Sequence, residues 1–353
     1  MFNIDNILRK NIKELVPYSS ARDEFKGEAS VFLDANENSY GSPLNRNYNR
    51  YPDPLQWKIK NRLAEIKGVP AKNIFLGNGS DEAIDILFRA FCNPGVDNVI
   101  TLPPTYGMYE VSANINDVEV RKVPLRPDYQ LNMEAIAEAI DEHTRIIFIC
   151  SPNNPTGNSI DRQDIETILA NFNGLVVIDE AYINYSRQKT FIQELTEYSN
   201  LVILQTLSKA WGLAGLRVGM AFASEEIIEI FNKVKPPYNI NEASQELALE
   251  ALQNVDQINN WIKETVAERE KLIAGLAQIP SVLKIYPSDA NFILVKTSNP
   301  KGIYSHLVNL GIIVRDRSKV ELCEGCLRIT IGTPQENIEL LNALKSFQES
   351  DKI

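Results

Sequence analysis

Three short and strongly apolar segments, at 145–150, 175–178 and 201–204, stand out in the middle of the chain. Each segment is shorter than a typical helix and has no polar face, which predicts strands buried on both sides of a sheet. Two further short segments, 73–76 and 99–102, predict strands of the same kind.

The segments between these strands repeat apolar residues at helical spacing. Residues 55–66 and 165–172 each place apolar side chains on one helical face, and Gly68 suits the end of the first of these helices. Another helix is predicted to begin with Ser80 as its N-cap. Short buried strands that alternate with amphipathic helices predict an α/β fold, with a mostly parallel sheet between helices.

The last third of the chain has a different pattern. After helical stretches over 242–279, the sequence predicts paired strands at 282–286 and 291–296, a helix at 303–310, and strands at 312–315 and 326–331. Thr333, Pro334 and Glu336 have the spacing of a capping box at the start of a final helix. The residues expected to face inward from that helix are Ile338, Leu341, Leu344 and Phe347.

These patterns predict two domains and an N-terminal extension. We expect residues 31–255 to form the large domain and residues 256–353 to form a small α+β domain. Residues 1–30 are expected to form an N-terminal arm or a segment of the small domain.

The charge and cysteine content narrow the class of protein. The formal net charge is −10, which disfavours binding to nucleic acid or to an anionic membrane surface. No signal peptide or membrane-spanning run is recognisable, and four cysteines in 353 residues suit a reducing cytosol, so we expect a cytoplasmic protein.

Cys323 and Cys326 form a CxxC pair, but a strand-like segment follows and no second ligand pair exists, so we predict no metal site.

Chemically distinct side chains follow the predicted strands directly. In parallel sheets ligands bind beyond the carboxyl ends of the strands, so these side chains are expected to meet at one edge. They are Tyr106, Asn154, Asp179 and Lys209, together with the turn at 77–80.

Lys209 is the candidate nucleophile of this group. Partial burial at the end of a strand would lower the pKa of its amine and favour attack on a carbonyl, as in a Schiff-base lysine. Taken alone, Lys209 and Arg217 are equally consistent with a surface pair that flanks a Gly-rich loop.

The combination of side chains fits pyridoxal 5'-phosphate. Lys209 would form the Schiff base, and Asp179 would keep the pyridine nitrogen protonated. Asn154 and Tyr182 would bind the ring oxygen, and Tyr106 would stack on the ring. Singly, Asp179 could cap a strand, Asn154 could serve a turn, and Tyr106 could be packing. Their joint order along the chain favours the cofactor site.

The cofactor phosphate has its own set of candidate residues. Backbone N–H groups at the predicted helix start, formed by Gly79, Ser80 and Asp81, would bind it. Ser208 and Arg217 would complete this anion site.

Several motifs carry a family resemblance. SPNNPTG at 151–157, DEAY at 179–182 and TLSKAWGLAGLRVG at 206–219 resemble the fold-type-I, aspartate-aminotransferase-like enzymes. Within that group, the order of further motifs resembles the histidinol-phosphate aminotransferases. These motifs are LDANEN, RYPDP, GNGSDE, PPTYGMY, ANFILV, VRD and CLRITIGTP.

The resemblance implies an activity and further roles. It implies reversible amino transfer between L-histidinol phosphate and 2-oxoglutarate, with ping-pong kinetics through Lys209. Tyr51 is similar to a tyrosine that reaches the neighbouring subunit's cofactor phosphate, which implies a homodimer.

Arg328 and Arg315 resemble arginines that bind the substrate's anionic end. Tyr18 and Asn36 lie in segments similar to those that close over the substrate, although Ser39 replaces the usual Pro after NEN.

Other activities remain open on the sequence. An aromatic amino acid aminotransferase or a phosphothreonine-type decarboxylase would use the same fold, and omission of 2-oxoglutarate separates the decarboxylase. A non-catalytic, cofactor-sensing regulator is a third possibility, which usually carries an additional DNA-binding module. No residue is assigned to the imidazole ring.

Overall fold

A computed structural model of the chain describes residues 2–18 and 29–347. Its larger sheet has seven strands in the order β1-β7-β6-β5-β4-β2-β3. β7 runs antiparallel to both β1 and β6, and the other neighbours are parallel. The strands are β1 (Ile74–Asn78), β2 (Asn98–Thr101), β3 (Glu119–Lys122), β4 (Thr144–Cys150), β5 (Leu175–Asp179), β6 (Leu201–Thr206) and β7 (Val218–Phe222). The predicted mostly parallel α/β sheet is confirmed.

Apolar side chains on both faces hold this sheet between helices. Along β4, Ile147 and Ile149 belong to one apolar cluster, whereas Ile146 and Phe148 belong to another on the opposite face. This alternation explains why the central strands are apolar throughout. The helices that precede the second sheet along the chain are α1 (Lys10–Lys13), α2 (Trp57–Lys67), α3 (Ser80–Phe91), α4 (Met108–Ile115), α5 (Met133–Ala139), α6 (Arg162–Asn171), α7 (Glu225–Val234), α8 (Glu242–Ala251) and α9 (Val255–Leu276).

A second, smaller sheet follows α9. Its four strands are antiparallel in the order β10-β11-β9-β8. They are β8 (Val282–Ile285), β9 (Phe292–Thr297), β10 (Arg315–Asp316) and β11 (Cys326–Thr330), with helices α10 (Pro300–Asn309) and α11 (Pro334–Ser346). The predicted capping box is present, because the Thr333 hydroxyl accepts from the Glu336 N–H and the Glu336 carboxylate accepts from the Thr333 N–H.

Three local predictions were wrong. Ile338 is 51% exposed, and Leu340 on the same helix is buried in its place. The strand expected at 312–315 is confined to Arg315–Asp316. Gly79, not Ser80, precedes the first helical residue of α3, and its φ of 74° explains why a glycine stands there.

The described N-terminal residues 2–13 pack against a helix of the large sheet. Ile4, Ile7 and Ile12 are buried in the same apolar cluster as α3, and the Arg9 N–H donates to the Ala90 carbonyl at 3.0 Å. The predicted domain limits, including the assignment of residues 1–30 to an N-terminal arm or a segment of the small domain, remain predictions. Within the described ranges, no helix combines the length and apolar character needed to cross a membrane.

Candidate active site

A cleft lies at the carboxyl ends of the parallel strands, where the sequence predicts it. It holds about 500 Å³ of space, part of it open to solvent. Every predicted cofactor residue except Tyr51 lines it. The lining residues are Gly79, Ser80, Asp81, Tyr106, Cys150, Asn154, Asp179, Ala181, Tyr182, Thr206, Ser208, Lys209 and Arg217.

Asp179 forms the floor of this cleft. It is the last residue of β5 and only 3% exposed. The Tyr109 hydroxyl donates to its Oδ2 at 2.8 Å, and the Ala181 N–H donates to its Oδ1 at 3.1 Å. Burial raises the pKa of Asp179, and these two hydrogen bonds oppose the rise. A buried carboxylate of this kind is stabilised in its charged form by a cation placed against it.

Lys209 faces the same cleft from the loop after β6. Its Nζ lies 5.6 Å from the centroid of the Tyr182 ring, and none of the described residues forms a hydrogen bond or salt bridge with it. Burial lowers the pKa of Lys209, and the positive charge of Arg328 lowers it further, whereas Asp179 opposes both. These effects favour the neutral, nucleophilic amine, as the sequence predicts.

The turn between β1 and α3 forms a close-packed anion cradle. A Cβ at Gly79 would lie 2.7 Å from Arg217 Nη2, and a Cβ at Gly219 would lie 2.1 Å from the Ser80 nitrogen. Glycine at both positions lets the Arg217 guanidinium and the start of α3 share one small space. Arg217 Nη2 also donates to Asp81 Oδ2 at 3.2 Å. Helix N-terminal N–H groups beside an arginine suit a phosphate group.

Arg328 connects the small sheet to this cleft. Its Nη1 donates to Asn154 Oδ1 at 2.5 Å, which leaves the Asn154 amide nitrogen free to donate elsewhere. Its guanidinium carbon lies 5.2 Å from the Phe292 ring centroid, and the Phe292 ring packs edge-on against Tyr182 at 5.0 Å. The buried Arg328 Nε has no hydrogen-bond partner in the described part of the chain. This donor is available to an anion bound in the cleft.

Residues 29–344 match the sequence profile of the family described as aminotransferase class I and II. The chain belongs to this family. It is thus an aminotransferase with the type I fold of pyridoxal-phosphate-dependent transferases, and the predicted cofactor class and fold are confirmed.

Individual proteins resemble the chain over nearly its full length. It is 57% identical to a histidinol-phosphate aminotransferase of Parabacteroides distasonis, over 99% of this chain and 100% of that protein. The structure of a histidinol-phosphate aminotransferase from Clostridium acetobutylicum matches with a TM-score of 0.78 at 25% identity, over 85% of this chain and 90% of the other. The structure of a histidinol-phosphate aminotransferase from Sinorhizobium meliloti, in complex with pyridoxal-5'-phosphate, matches with a TM-score of 0.77 at 23% identity, over 88% of this chain and 89% of the other. At this identity the similarity shows only that the two proteins share a fold.

Five predicted residues of the aminotransferase site do not line the cleft of their own chain. Two of them belong to the small sheet: Arg328 contacts the lining residue Asn154, and the exposed Arg315 is paired with Arg328. The other three lie elsewhere. Tyr51 is 51% exposed, and its ring stacks on Tyr238 at a centroid distance of 4.5 Å. Tyr18 is 75% exposed and lines a separate groove that includes Lys235. Asn36 is exposed, with a φ of 55°. Their roles remain predictions.

The structure also adds residues that sequence reasoning missed. Tyr109 contacts Asp179 directly, and it could have been found because it lies three residues after Tyr106 in PPTYGMY, at the start of α4. Arg317 lies on the same sheet face as Arg315 and Arg328, which only the strand pairing and the hydrogen bond from the Arg317 N–H to the Cys326 carbonyl reveal. Cys323 and Cys326 are buried free thiols, and Cys323 Sγ lies 4.0 Å from the Tyr129 hydroxyl.

Proposed function

We propose that this aminotransferase interconverts L-histidinol phosphate plus 2-oxoglutarate and imidazole acetol phosphate plus L-glutamate, as a cytoplasmic step of histidine biosynthesis. The observation that carries the proposal is a cleft lined by an amine and a buried carboxylate, Lys209 and Asp179, with Arg328 hydrogen-bonded to the lining residue Asn154. The similarity at 57% identity to a histidinol-phosphate aminotransferase supports this substrate pair. Four buried free cysteines suit the reducing cytoplasm.

Pyridoxal 5'-phosphate, when bound, supplies an electron sink that acidifies the hydrogen on the substrate Cα. The chain's residues would hold it by its three polar parts. Asp179 would pair with the pyridine N–H, while Tyr109 and the Ala181 N–H keep the carboxylate in place. Asn154 would donate its free amide N–H to the ring oxygen, with Tyr182 beside it. The start of α3, Ser208 and Arg217 would bind the phosphate.

Lys209 would act as the base and acid of the reaction. Its amine is the group in the cleft whose pKa is lowered by burial and by neighbouring arginines, so it is able to take a proton from Cα. Because no described residue holds the same Nζ in a hydrogen bond or salt bridge, it would also return that proton at the neighbouring carbon. Thus one residue would perform both proton transfers.

Arg328 and Arg315 would bind the end of the substrate away from the amine. The two residues lie directly opposite each other across β10 and β11. Planar guanidinium groups bind carboxylate and phosphate alike, which one site needs if glutamate and histidinol phosphate alternate in it.

The proposal includes a homodimer in which Tyr51 reaches the partner's cofactor phosphate. Tyr51 is outside its own cleft, and its ring is half exposed. Large apolar side chains in the segment that precedes it are also exposed, including Val31, Leu33, Tyr40 and Leu44. An apolar surface of this kind suits a contact with a second copy of the chain.

A panel of amino donors tests the function. The purified holoenzyme is assayed with L-histidinol phosphate, tyrosine, phenylalanine and phosphothreonine, each with and without 2-oxoglutarate. We expect the highest kcat/KM for histidinol phosphate, with turnover only when 2-oxoglutarate is present. A higher kcat/KM for tyrosine or phenylalanine would indicate an aromatic aminotransferase. Release of CO₂ from phosphothreonine without 2-oxoglutarate would indicate a decarboxylase.

A further inference from the structure

Three arginines project from one face of the small sheet toward the cleft. Arg315 on β10 is paired with Arg328 on β11. The Arg317 N–H donates to the Cys326 carbonyl at 2.9 Å, which continues the same antiparallel register by two residues. Since side chains alternate along a strand and paired residues share a face, Arg315, Arg317 and Arg328 lie on the same side. We call these three residues the arginine cluster.

No acidic side chain among the described residues forms a salt bridge with this cluster. The side chains of Arg315 and Arg317 have no hydrogen-bond or salt-bridge partner among the described residues, and Arg317 is only partly exposed. The neighbouring Asp316 belongs to the opposite face of the strand, and its Oδ1 accepts hydrogen bonds from the Ser318 N–H and hydroxyl. Like charges paired across strands are unfavourable, and partial burial of an unpaired guanidinium adds to the cost. A bound anion would relieve both.

The charge of Arg317 acts on a tyrosine of the active site. Burial raises the pKa of the Tyr182 hydroxyl, and the charges of Arg328 and Arg317 both oppose that rise. Burial lowers the pKa of Arg317, and repulsion from Arg328 and Arg315 lowers it further. Tyr182 lines the cleft beside Lys209. Arg328 contacts the lining residue Asn154 and shares its face of the sheet with the other two arginines, so the cluster lies on the small-sheet side of the cleft. The end of the substrate distant from the amine would lie on that side.

We propose that Arg317 is a specificity-determining residue that makes the arginine cluster favour amino donors ending in a dianionic phosphate over donors ending in a carboxylate. The inference rests on the proposed function. One planar guanidinium satisfies both oxygens of a carboxylate, which carries a single charge. A phosphate monoester carries about 1.5 to 2 negative charges at neutral pH and offers three oxygens. Only the phosphate has an oxygen and a charge left for a third arginine.

The test compares Arg317→Gln with wild-type holoenzyme in the two half-reactions. We expect kcat/KM for L-histidinol phosphate to fall by about 10- to 100-fold, as for the loss of one charged hydrogen bond. The loss for glutamate should be several-fold smaller. Arg317→Lys should recover part of the phosphate-donor activity, because it restores the charge without the planar geometry. Arg89→Gln, which removes an exposed arginine at the far end of α3, is the charge-matched control and should leave both half-reactions unchanged.

Inhibition by inorganic phosphate separates this inference from the proposed function. Phosphate is added as a competitor of glutamate to the holoenzyme, and its inhibition constant should rise about tenfold or more in Arg317→Gln. This arm gives a result even if histidinol phosphate is not a substrate. An equal loss for both donors, or an unchanged phosphate inhibition constant, would overturn the role assigned to Arg317. Failure of the wild type to use histidinol phosphate, with the phosphate effect intact, would overturn the substrate assignment alone.

Discussion

The Tyr109 hydroxyl donates a 2.8 Å hydrogen bond to Asp179 Oδ2, and both side chains are buried. The Tyr109 ring is fixed by stacking on Phe148 at 4.7 Å and by an edge contact with Tyr106 at 5.6 Å. Through this bond, α4 supports the carboxylate at the end of β5. Tyr109 is thus a positioning residue for the group expected to face the cofactor's pyridine nitrogen.

Tyr109→Phe should impair activity most strongly at low pH. The donor favours the charged form of Asp179, so its removal raises the pKa of this carboxyl further, and the ionised form is lost at a higher pH. We expect kcat/KM to fall by about tenfold, with the acidic limb of its pH profile moved to higher pH. The profile is measured by steady-state assays of wild type and variant.

Tyr185→Phe is the matched control for this experiment. Tyr185 is also buried, but its hydroxyl has no hydrogen-bond partner among the described residues. Its removal should leave the acidic limb where it is. If Tyr109→Phe lowers activity equally at every pH, the bond to Asp179 has only a structural effect.

Gly79→Ala should weaken cofactor binding. Gly79 has φ 74° and ψ 171°, a region that residues with a Cβ adopt at a cost of about 1–3 kcal/mol. The new methyl group would also lie 2.7 Å from Arg217 Nη2 and displace it from the cradle. We expect the Kd of pyridoxal phosphate, measured by fluorescence titration of the apoenzyme, to rise by about tenfold or more.

Gly215→Ala tests whether this loss is specific. Gly215 lies two residues before Arg217, and a Cβ added there would meet no atom within 4 Å. Its Kd should remain within about twofold of the wild type. Equal Kd values for the two alanine variants would contradict the cradle.

The parts of the fold that could be read from the sequence are those set by local pattern. The strands β4, β5 and β6 were predictable because burial on both faces requires an unbroken apolar run. The edge strand β3 has the sequence EVRK and partly exposed side chains, so no apolar pattern marks it. β7 contains Gly219, which the sequence suggests as a loop residue, whereas the structure places it where the start of α3 approaches most closely.

The same distinction applies to the site. Lys209, Asp179 and Asn154 each follow a strand end directly, so the geometry of a parallel sheet brings them together without further information. Tyr109 and Arg317 act through a side-chain bond and a cross-strand register between distant segments. Such pairings depend on packing in three dimensions, which hydrophobic periodicity does not encode.

Lys60→Met should stabilise the protein at neutral pH. Lys60 is 2% exposed, and burial lowers its pKa from 10.5 to about 8, with repulsion from Lys235 adding to the shift and Asp53 opposing it. Between about pH 8 and 10.5 the unfolded chain binds more protons at this residue, so the free energy of unfolding rises with pH there. Below pH 8 the charged lysine costs up to about 3 kcal/mol.

The corresponding measurement is urea unfolding at one protein concentration, at pH 7 and at pH 10. Lys60→Met should raise the free energy of unfolding by about 1–3 kcal/mol at pH 7, with a smaller gain at pH 10. Lys58→Met, on the exposed side of the same helix, should change it by less than about 0.5 kcal/mol at either pH. A gain independent of pH would mean that packing, and not the charge, limits stability at this position.

Mixed dimers test whether Tyr51 acts on its own chain or on the partner. Lys209→Ala lacks the amine and Tyr51→Ala lacks the phenol, so each homodimer should be nearly inactive. If Tyr51 crosses the interface, a mixed dimer has one complete site, with Lys209 from one chain and Tyr51 from the other. Random exchange of equal amounts should therefore recover about a quarter of the wild-type activity.

The exchange is performed by mild dissociation and reassociation, with dimer formation of each variant followed by light scattering. Differently tagged chains allow the mixed species to be isolated, and its activity should be about half that of the wild type, because one of its two sites is complete. If Tyr51 served the cofactor of its own chain, every site in the mixture would lack one of the two residues. Mixed dimers without recovered activity would therefore contradict a role of Tyr51 in the partner's site. A monomeric wild type would contradict the proposed dimer itself.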